Sequence, residues 1–296
     1  MNASVVALAV GLVAGTALDS TPPRTVETRG GYRVLEADFH AHTRFSDGFL
    51  SPFDLVLQAR RRGLDALAIT EHNMIFPGKM ARWFSRLTGG PTILVGEEVT
   101  TFRYHVHGIG LTEPIRAGEP LAQLIADVHR QGGVVIAAHP VKSAWPSFEA
   151  ELDGLDGTEL MHPLAFGSGG AGWRWEDMRA FYERSLASGH PLTAIGSSDY
   201  HFFSPLGVCR TLVFARDDDE EAVLEAIRQG HTVVHDLQGK AHGDPALIRL
   251  LESEPYLLRP QDYGYRGSGP LDRGSRLLGW AGMLGLILFR RRRAAG

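Results

Sequence analysis

An α/β architecture with parallel strands, most simply a barrel, follows from three features of the chain. About seven short apolar runs recur along it, amphipathic helical stretches separate them, and polar clusters rich in histidine stand at the ends of the runs. At 296 residues and 44% hydrophobic, the chain can bury one large core in one or two domains. A formal net charge of -4 gives no electrostatic reason to expect nucleic acid, which is bound through clustered Lys and Arg. Cys209 is the single cysteine, which excludes an internal disulfide and a zinc site built from cysteines. The thirteen histidines are numerous for this length, and their positions carry the argument.

The elements follow in order. Tyr32 to Ala37 leads into Asp38-Phe39-His40-Ala41-His42, where histidines at i and i+2 share one face of an extended segment and both reach one ion. Asp38 has the same parity and is placed to orient a ligand ring, and Asp47 in a Ser-Asp-Gly turn offers a carboxylate from the next loop. Ser51-Pro52 opens a helix through Arg62, with Ser51 as N-cap and Gly63 as the stop. Ala66 to Thr70 is a buried strand ending in Glu71-His72-Asn73, and Thr92 to Val95 is the next, ending in Gly96-Glu97-Glu98 and followed by Tyr104-His105-Val106-His107-Gly108. Leu121, Leu124, Ile125 and Val128 have helical spacing within 119–130, and Val134 to Ala138 delivers His139-Pro140.

The second half keeps this rhythm. Gly157 to Met161 is a short strand, 167–172 is a glycine-rich loop, and Trp173 to Ala187 is helical. Leu192 to Ile195 leads to Gly196-Ser197-Ser198-Asp199-Tyr200-His201. Thr211 to Ala215 is a strand, Asp217 to Glu221 primes a helix N-terminus, and Thr232 to Val234 closes the series. His40, His42, His72, Glu98, His107, His139, Asp199 and His201 therefore all fall at the ends of apolar runs. In a parallel barrel those ends gather on one face, so the donors converge, and they are too many for a single zinc ion. Arg44, Arg103 and above all Arg210 are candidates to grip an anionic substrate, and Trp145, Phe166, Trp173 and Trp175 to wall a pocket.

From Arg33 to Asp236 the order of motifs resembles the PHP (polymerase and histidinol phosphatase) domain: Asp-x-His-x-His with Ser-Asp-Gly, Thr-Glu-His-Asn, Gly-x-Glu-Val-Thr with His-Gly-Ile-Gly, Ala-His-Pro and Gly-Ser-Ser-Asp-x-His. The resemblance implies a distorted (β/α)7 barrel with a trinuclear metal centre at the C-terminal ends of the strands. It implies that His40, His42, Glu98 and Asp199 hold one metal, that Glu98, His107 and His139 hold a second, and that Asp47, His72 and His201 hold the third. Two or three divalent ions (Zn, Mn or Fe) are expected, with Asp38 and Arg210 assisting. Glu71 departs from the family, which more often has Asp there. The activity implied is hydrolysis of a small anionic phosphate ester by a hydroxide bridging two metals. Alternatives are a hydrolase of carboxyl or carbamate esters or amides, and a non-catalytic binding module that metal stabilises.

The termini add expectations about address. Residues 1–17 read as a signal peptide or membrane segment, 18–30 as a linker, 31–238 as the barrel, 239–275 as an extension and linker, and 276–296 as a short hydrophobic membrane or sorting tail with an Arg cluster. An exported, extracytoplasmic and membrane-attached protein is the expected location, with the cytoplasmic face of the membrane as the alternative.

Overall fold

The computed structural model describes residues 3–19, 25–166, 173–201, 205–253 and 270–294. Helix α1 (Ala3–Asp19) precedes β1 (Glu27–Arg29) and β2 (Tyr32–Asp38). Then come α2 (Pro52–Arg61), β3 (Ala66–His72), α3 (Phe76–Thr88), β4 (Thr92–Thr100) and β5 (His105–Ile109). They are followed by α4 (Leu121–Arg130), β6 (Val134–Ala138), α5 (Trp145–Ala150), β7 (Gly157–Met161), α6 (Trp175–Ser188) and β8 (Thr193–Gly196). The chain continues through β9 (Thr211–Ala215), α7 (Glu220–Arg228), β10 (Thr232–His235), β11 (Ala241–Gly243), α8 (Pro245–Ser253) and α9 (Pro270–Ala294).

The local chemistry accounts for these boundaries. Ser51 caps α2 through a reciprocal pair with Asp54, Pro52 occupies its first turn, and Asp219 caps α7 by accepting from the Ala222 amide at 2.8 Å. The strands form one sheet in the order β11-β10-β9-β2-β3-β4-β5-β6-β7-β8, with β1 hairpinned onto β2. The sheet curls until β8 nearly meets β9 and β10. Thr211 and Thr232 bridge that seam by hydroxyl bonds with Gly196 and Ala194, each 2.8 Å.

The all-parallel expectation needs correction. β2, β3 and β4 are mutually parallel, as are β6, β7 and β8, but β5 runs antiparallel to both β4 and β6, and β9 runs antiparallel to β2 and β10. Only residues 101–104 join β4 to β5, which is hairpin length, whereas a parallel crossover takes a dozen or more residues. Leu35, Ala37 and Phe39 pack inside the barrel with Leu94, Ile136 and Ile195, and Val223, Leu224 and Ile227 of α7 join this cluster. On the outside, α4 and α5 cover Val95 and Val99 of β4.

Within the extension after 238, β11 pairs with β10, and Leu247 and Leu251 of α8 pack on Val34, Phe214 and Val233, so residues 241–253 are part of the folded body. Residues 254–269 lie outside the described residues, as does the glycine-rich loop at 167–172. At the termini α1 packs on α9 with backbones close enough that a Cβ on Gly11 would lie 2.4 Å from the Gly279 nitrogen. Among the described residues no helix is long and apolar enough to cross a membrane, so the expected membrane attachment finds no support in these helices.

Candidate metal centre

Segment 40–42 is not part of regular β2. It is stitched between neighbours: the His42 amide donates to Tyr200 O at 2.9 Å, the Tyr200 amide to His40 O at 3.2 Å, and the Thr70 amide to Ala41 O at 3.0 Å. This brings the ends of β2, β3 and β8 together and turns both imidazoles to one point. His40 Nε2 lies 2.8 Å from His42 Nε2, 3.0 Å from Asp199 Oδ1 and 3.7 Å from Glu98 Oε2, and His42 Nε2 lies 3.5 Å from Glu98 Oε2.

Two further groups flank this one. Glu98 turns its other oxygen to His105 Nδ1 at 2.9 Å and His139 Nε2 at 3.1 Å. Asp47 Oδ2 meets His72 Nε2 and His201 Nε2, each at 3.2 Å, with His42 Nδ1 3.7 Å from Asp47 Oδ1. The donor sets His40-His42-Glu98, Glu98-His105-His139 and His42-Asp47-His72-His201 each converge tightly enough to hold a metal ion, as does His40-His139-Asp199. Ring nitrogens and carboxylate oxygens suit divalent Zn, Mn or Fe. The fit is supported by atoms left idle: Asp199 Oδ1 and His42 Nδ1 are buried and have no hydrogen-bond partner among the described residues.

The backbone around the site is strained where ligands project. His139 (φ 26°), Asp199 (φ 42°) and Asn73 (φ 54°), which follows His72, adopt left-handed conformations that side chains with a Cβ rarely take. Glu71 ties down the Asp47 loop by accepting from the Thr43 amide at 2.7 Å and from the Ser46 hydroxyl. Gly48 lets that loop lie on the His42 carbonyl, since a Cβ there would come within 2.3 Å of it.

Two expectations change, and a third gains a competitor. His107 is in none of the convergent groups, and His105 stands beside Glu98 and His139. β5 runs down from the mouth, so His105 stands nearer the rim, opposite Thr100, and His107 lies level with Glu98, its cross-strand partner. His107 is buried beside His40, ring centroids 4.1 Å apart, and both of its nitrogens, like Asp199 Oδ1 and His42 Nδ1, have no hydrogen-bond partner among the described residues, which leaves them free for an ion. Asp38 orients no ring. Leu35, Ala37 and Phe39 take the interior face of β2, so Asp38 faces away and accepts from the Ser198 amide (2.9 Å), the Ser198 hydroxyl (2.5 Å) and the Gly207 amide (2.7 Å). It fixes the backbone that carries Asp199. The Arg210 side chain is nearly buried, paired with Glu36 and bonded to Gly207 O at 3.1 Å, so its guanidinium is taken up within the fold and does not present itself to a substrate.

Two residues outside the sequence motifs also belong to the site. Glu159 of β7 accepts from or pairs with His40 Nδ1 at 2.9 Å, accepts from the His139 amide at 2.5 Å, and bonds the Ser197 hydroxyl. It fixes the His40 ring so that Nε2 faces the donors, the role that had been assigned to Asp38. His162, at the end of β7, places Nε2 3.1 Å from Asp199 Oδ2. For His162 the position after a buried strand was the available signal, Glu159 lies within the strand, and no motif accompanied either.

Electrostatics divides the cluster. Burial alone would raise Glu98, but the charge of His40 and the bonds from His105 and His139 outweigh it and hold the carboxylate well below its ordinary range. Asp199 is held low in the same way by His40, His162 and His42, against burial. Burial pushes His42 down to about 4, which keeps its ring neutral, the form that ligates metal.

Comparison with known proteins agrees with this geometry. Residues 38–143 match the family model of the PHP domain and residues 182–232 that of the PHP-associated segment. An uncharacterized protein of Methanocaldococcus jannaschii is 27% identical over 144 residues, covering 43% of this chain and 84% of that protein. Among solved structures, a two-domain protein of Bacteroides vulgatus containing a predicted PHP-like metal-dependent phosphoesterase superposes with a TM-score of 0.64 at 22% identity, covering 79% of this chain and 74% of the other. That likeness is one of fold.

Proposed function

From the premise that this chain is a member of the PHP family, we propose that it is a metal-dependent hydrolase of phosphate esters holding two or three divalent ions. The observation that carries the proposal is the division of the donors into groups that share Glu98, one oxygen turned to His40 and His42 and the other to His105 and His139. When bound, such ions supply Lewis acidity and lower the pKa of water, so the protein needs no nucleophilic side chain. The chain's own part is orientation. Glu159 holds His40 by Nδ1, the Asp199 carbonyl accepts from His201 Nδ1 at 2.9 Å, and Thr100 Oγ bonds His72 Nδ1 at 2.6 Å, which leaves each Nε2 facing the centre.

The reading with a carboxylated lysine bridge, as in amidohydrolases, is disfavoured by the lysines. Lys79 donates to the Thr112 carbonyl at 2.7 Å and Lys142 is exposed beside Asp177, while Glu98 occupies the bridging place. An extracytoplasmic address remains part of the proposal, resting on the terminal sequences, and cell fractionation tests it. For the activity, the protein is reconstituted with Mn, Zn or Fe and assayed on phosphomonoesters, phosphodiesters, carboxyl esters and carbamates. Turnover of phosphate esters that the His40→Ala/Glu98→Ala protein lacks is the expected result. Equal turnover by that folded variant would falsify the assignment, and tightly held metal without any turnover would favour a binding module.

A further inference from the structure

Of the tryptophans around the mouth, Trp145 and Trp175 use their indole N–H groups on the Pro140 and Leu160 carbonyls, at 2.9 and 2.8 Å, and belong to the packing of α5 and α6. Trp173 is placed differently. It is 38% exposed, and its ring lies 4.7 Å from His139 and 6.3 Å from His105, centroid to centroid. Between Trp173 and the β4–β5 turn opens a cavity of about 180 Å³, floored by His105 and His139 and walled by Phe102, Tyr104, Val141 and Ala144. Phe102 is fully exposed at its lip.

We propose that this cavity is the leaving-group subsite and that it takes a planar aromatic group, so that the preferred substrates are aryl esters of phosphate. The proposal rests on the phosphoesterase reading and extends it to the substrate's other half. Two candidate ligands form the cavity floor, so a phosphoryl group held at the metal centre puts its ester oxygen at the cavity's entrance. The walls offer aromatic rings for stacking. The volume also fits, since a cavity of about 150 Å³ accommodates benzene. A long acyl chain would leave those flat rings poorly matched. In the reaction the oxygen of water forms the new bond to phosphorus and the bond from phosphorus to the aryl oxygen breaks. The aryloxide departs with that electron pair and takes up a proton.

The test uses the full-length, metal-reconstituted protein and two non-hydrolysable probes, naphthalen-2-ylmethylphosphonate and methylphosphonate, with binding measured by calorimetry. The aromatic probe is expected to bind about tenfold or more tightly, the worth of one good stacking contact. Trp173→Ala should remove most of that ratio, and Trp173→Phe should keep most of it. Equal binding of the two probes, or a ratio unchanged in Trp173→Ala, overturns the subsite, and failure of both probes to bind overturns the subsite and the phosphoesterase reading together. Phosphate release from naphthalen-2-yl phosphate and methyl phosphate separates the two claims. If neither is hydrolysed while the aromatic preference in binding persists, the phosphoesterase reading fails and the aromatic subsite stands.

Discussion

Glu97 and Glu98 are neighbours on β4, both almost wholly buried, and they behave oppositely. Glu98 faces the barrel interior among His40, His105 and His139 and stays ionised far below the ordinary carboxylate range. Glu97 faces the outer layer, the side of Val95 and Val99, where the Ile115 amide donates to one oxygen at 3.0 Å and the other has no hydrogen-bond partner among the described residues. Burial there pushes its carboxyl up to about 7, opposed only by the Ile115 bond. Burial is thus common to both, and the partners decide the charge. One face of the strand is a place for cations, and the other tolerates a carboxyl best when it is protonated.

The largest effect that sharpens this contrast is expected for Glu98→Gln. It should lower kcat/KM by about a thousandfold or more, several kcal/mol of transition-state stabilisation, because the His40-His42 and His105-His139 donor sets lose their shared member. Next comes the pair on β5. His105→Ala should lower metal affinity sharply by metal titration, since its Nδ1 lies 2.9 Å from Glu98. His107→Leu should lower it as well, since two buried nitrogens without partners among the described residues stand opposite Glu98. Unchanged metal in His107→Leu would assign that ring to packing alone. Glu159→Gln should weaken metal binding about 10–100-fold, the usual cost of losing a group that orients a ligand, with the fold intact by circular dichroism.

The smallest effect falls on the outer face. Because the folded-state pKa of Glu97 is raised above its ordinary value of 4.5, the folded protein holds a proton there that the unfolded chain has released. Stability is therefore lost as pH rises from about 4.5 through about 7, and it is flat above. Glu97→Gln should raise stability by about 2 kcal/mol at pH 8 and much less at pH 4.5, measured by urea unfolding. A gain independent of pH would break the comparison.

Much of the site was legible because the strand-end rule holds wherever strands are parallel. His40, His42, His72, Glu98, His139, Asp199 and His201 stand where apolar runs end, and the structure gathers all of them at one mouth. The rule fails where a strand reverses. In β5 the first residue stands at the rim, so His105 comes to the site as well as His107, which faces Glu98 across the pair, and parity alone does not choose between them. Parity failed at Asp38 for a related reason, since the chain leaves regular β geometry after that residue and alternation does not carry across the break. Glu159 escaped because a lone acid inside a short strand has no local pattern, and its partners His40 and His139 are distant in sequence. The sheet's near-closure and the packing of α8 likewise depend on contacts between distant segments.

The most direct measurement is the metal-to-protein ratio of the two β4 variants after reconstitution with Mn or Zn and gel filtration, read by plasma mass spectrometry. Glu97→Gln should retain the metal content of the parent, and Glu98→Gln should lose most of it. Equal metal in both would contradict the claim that Glu98 is the shared member of the centre.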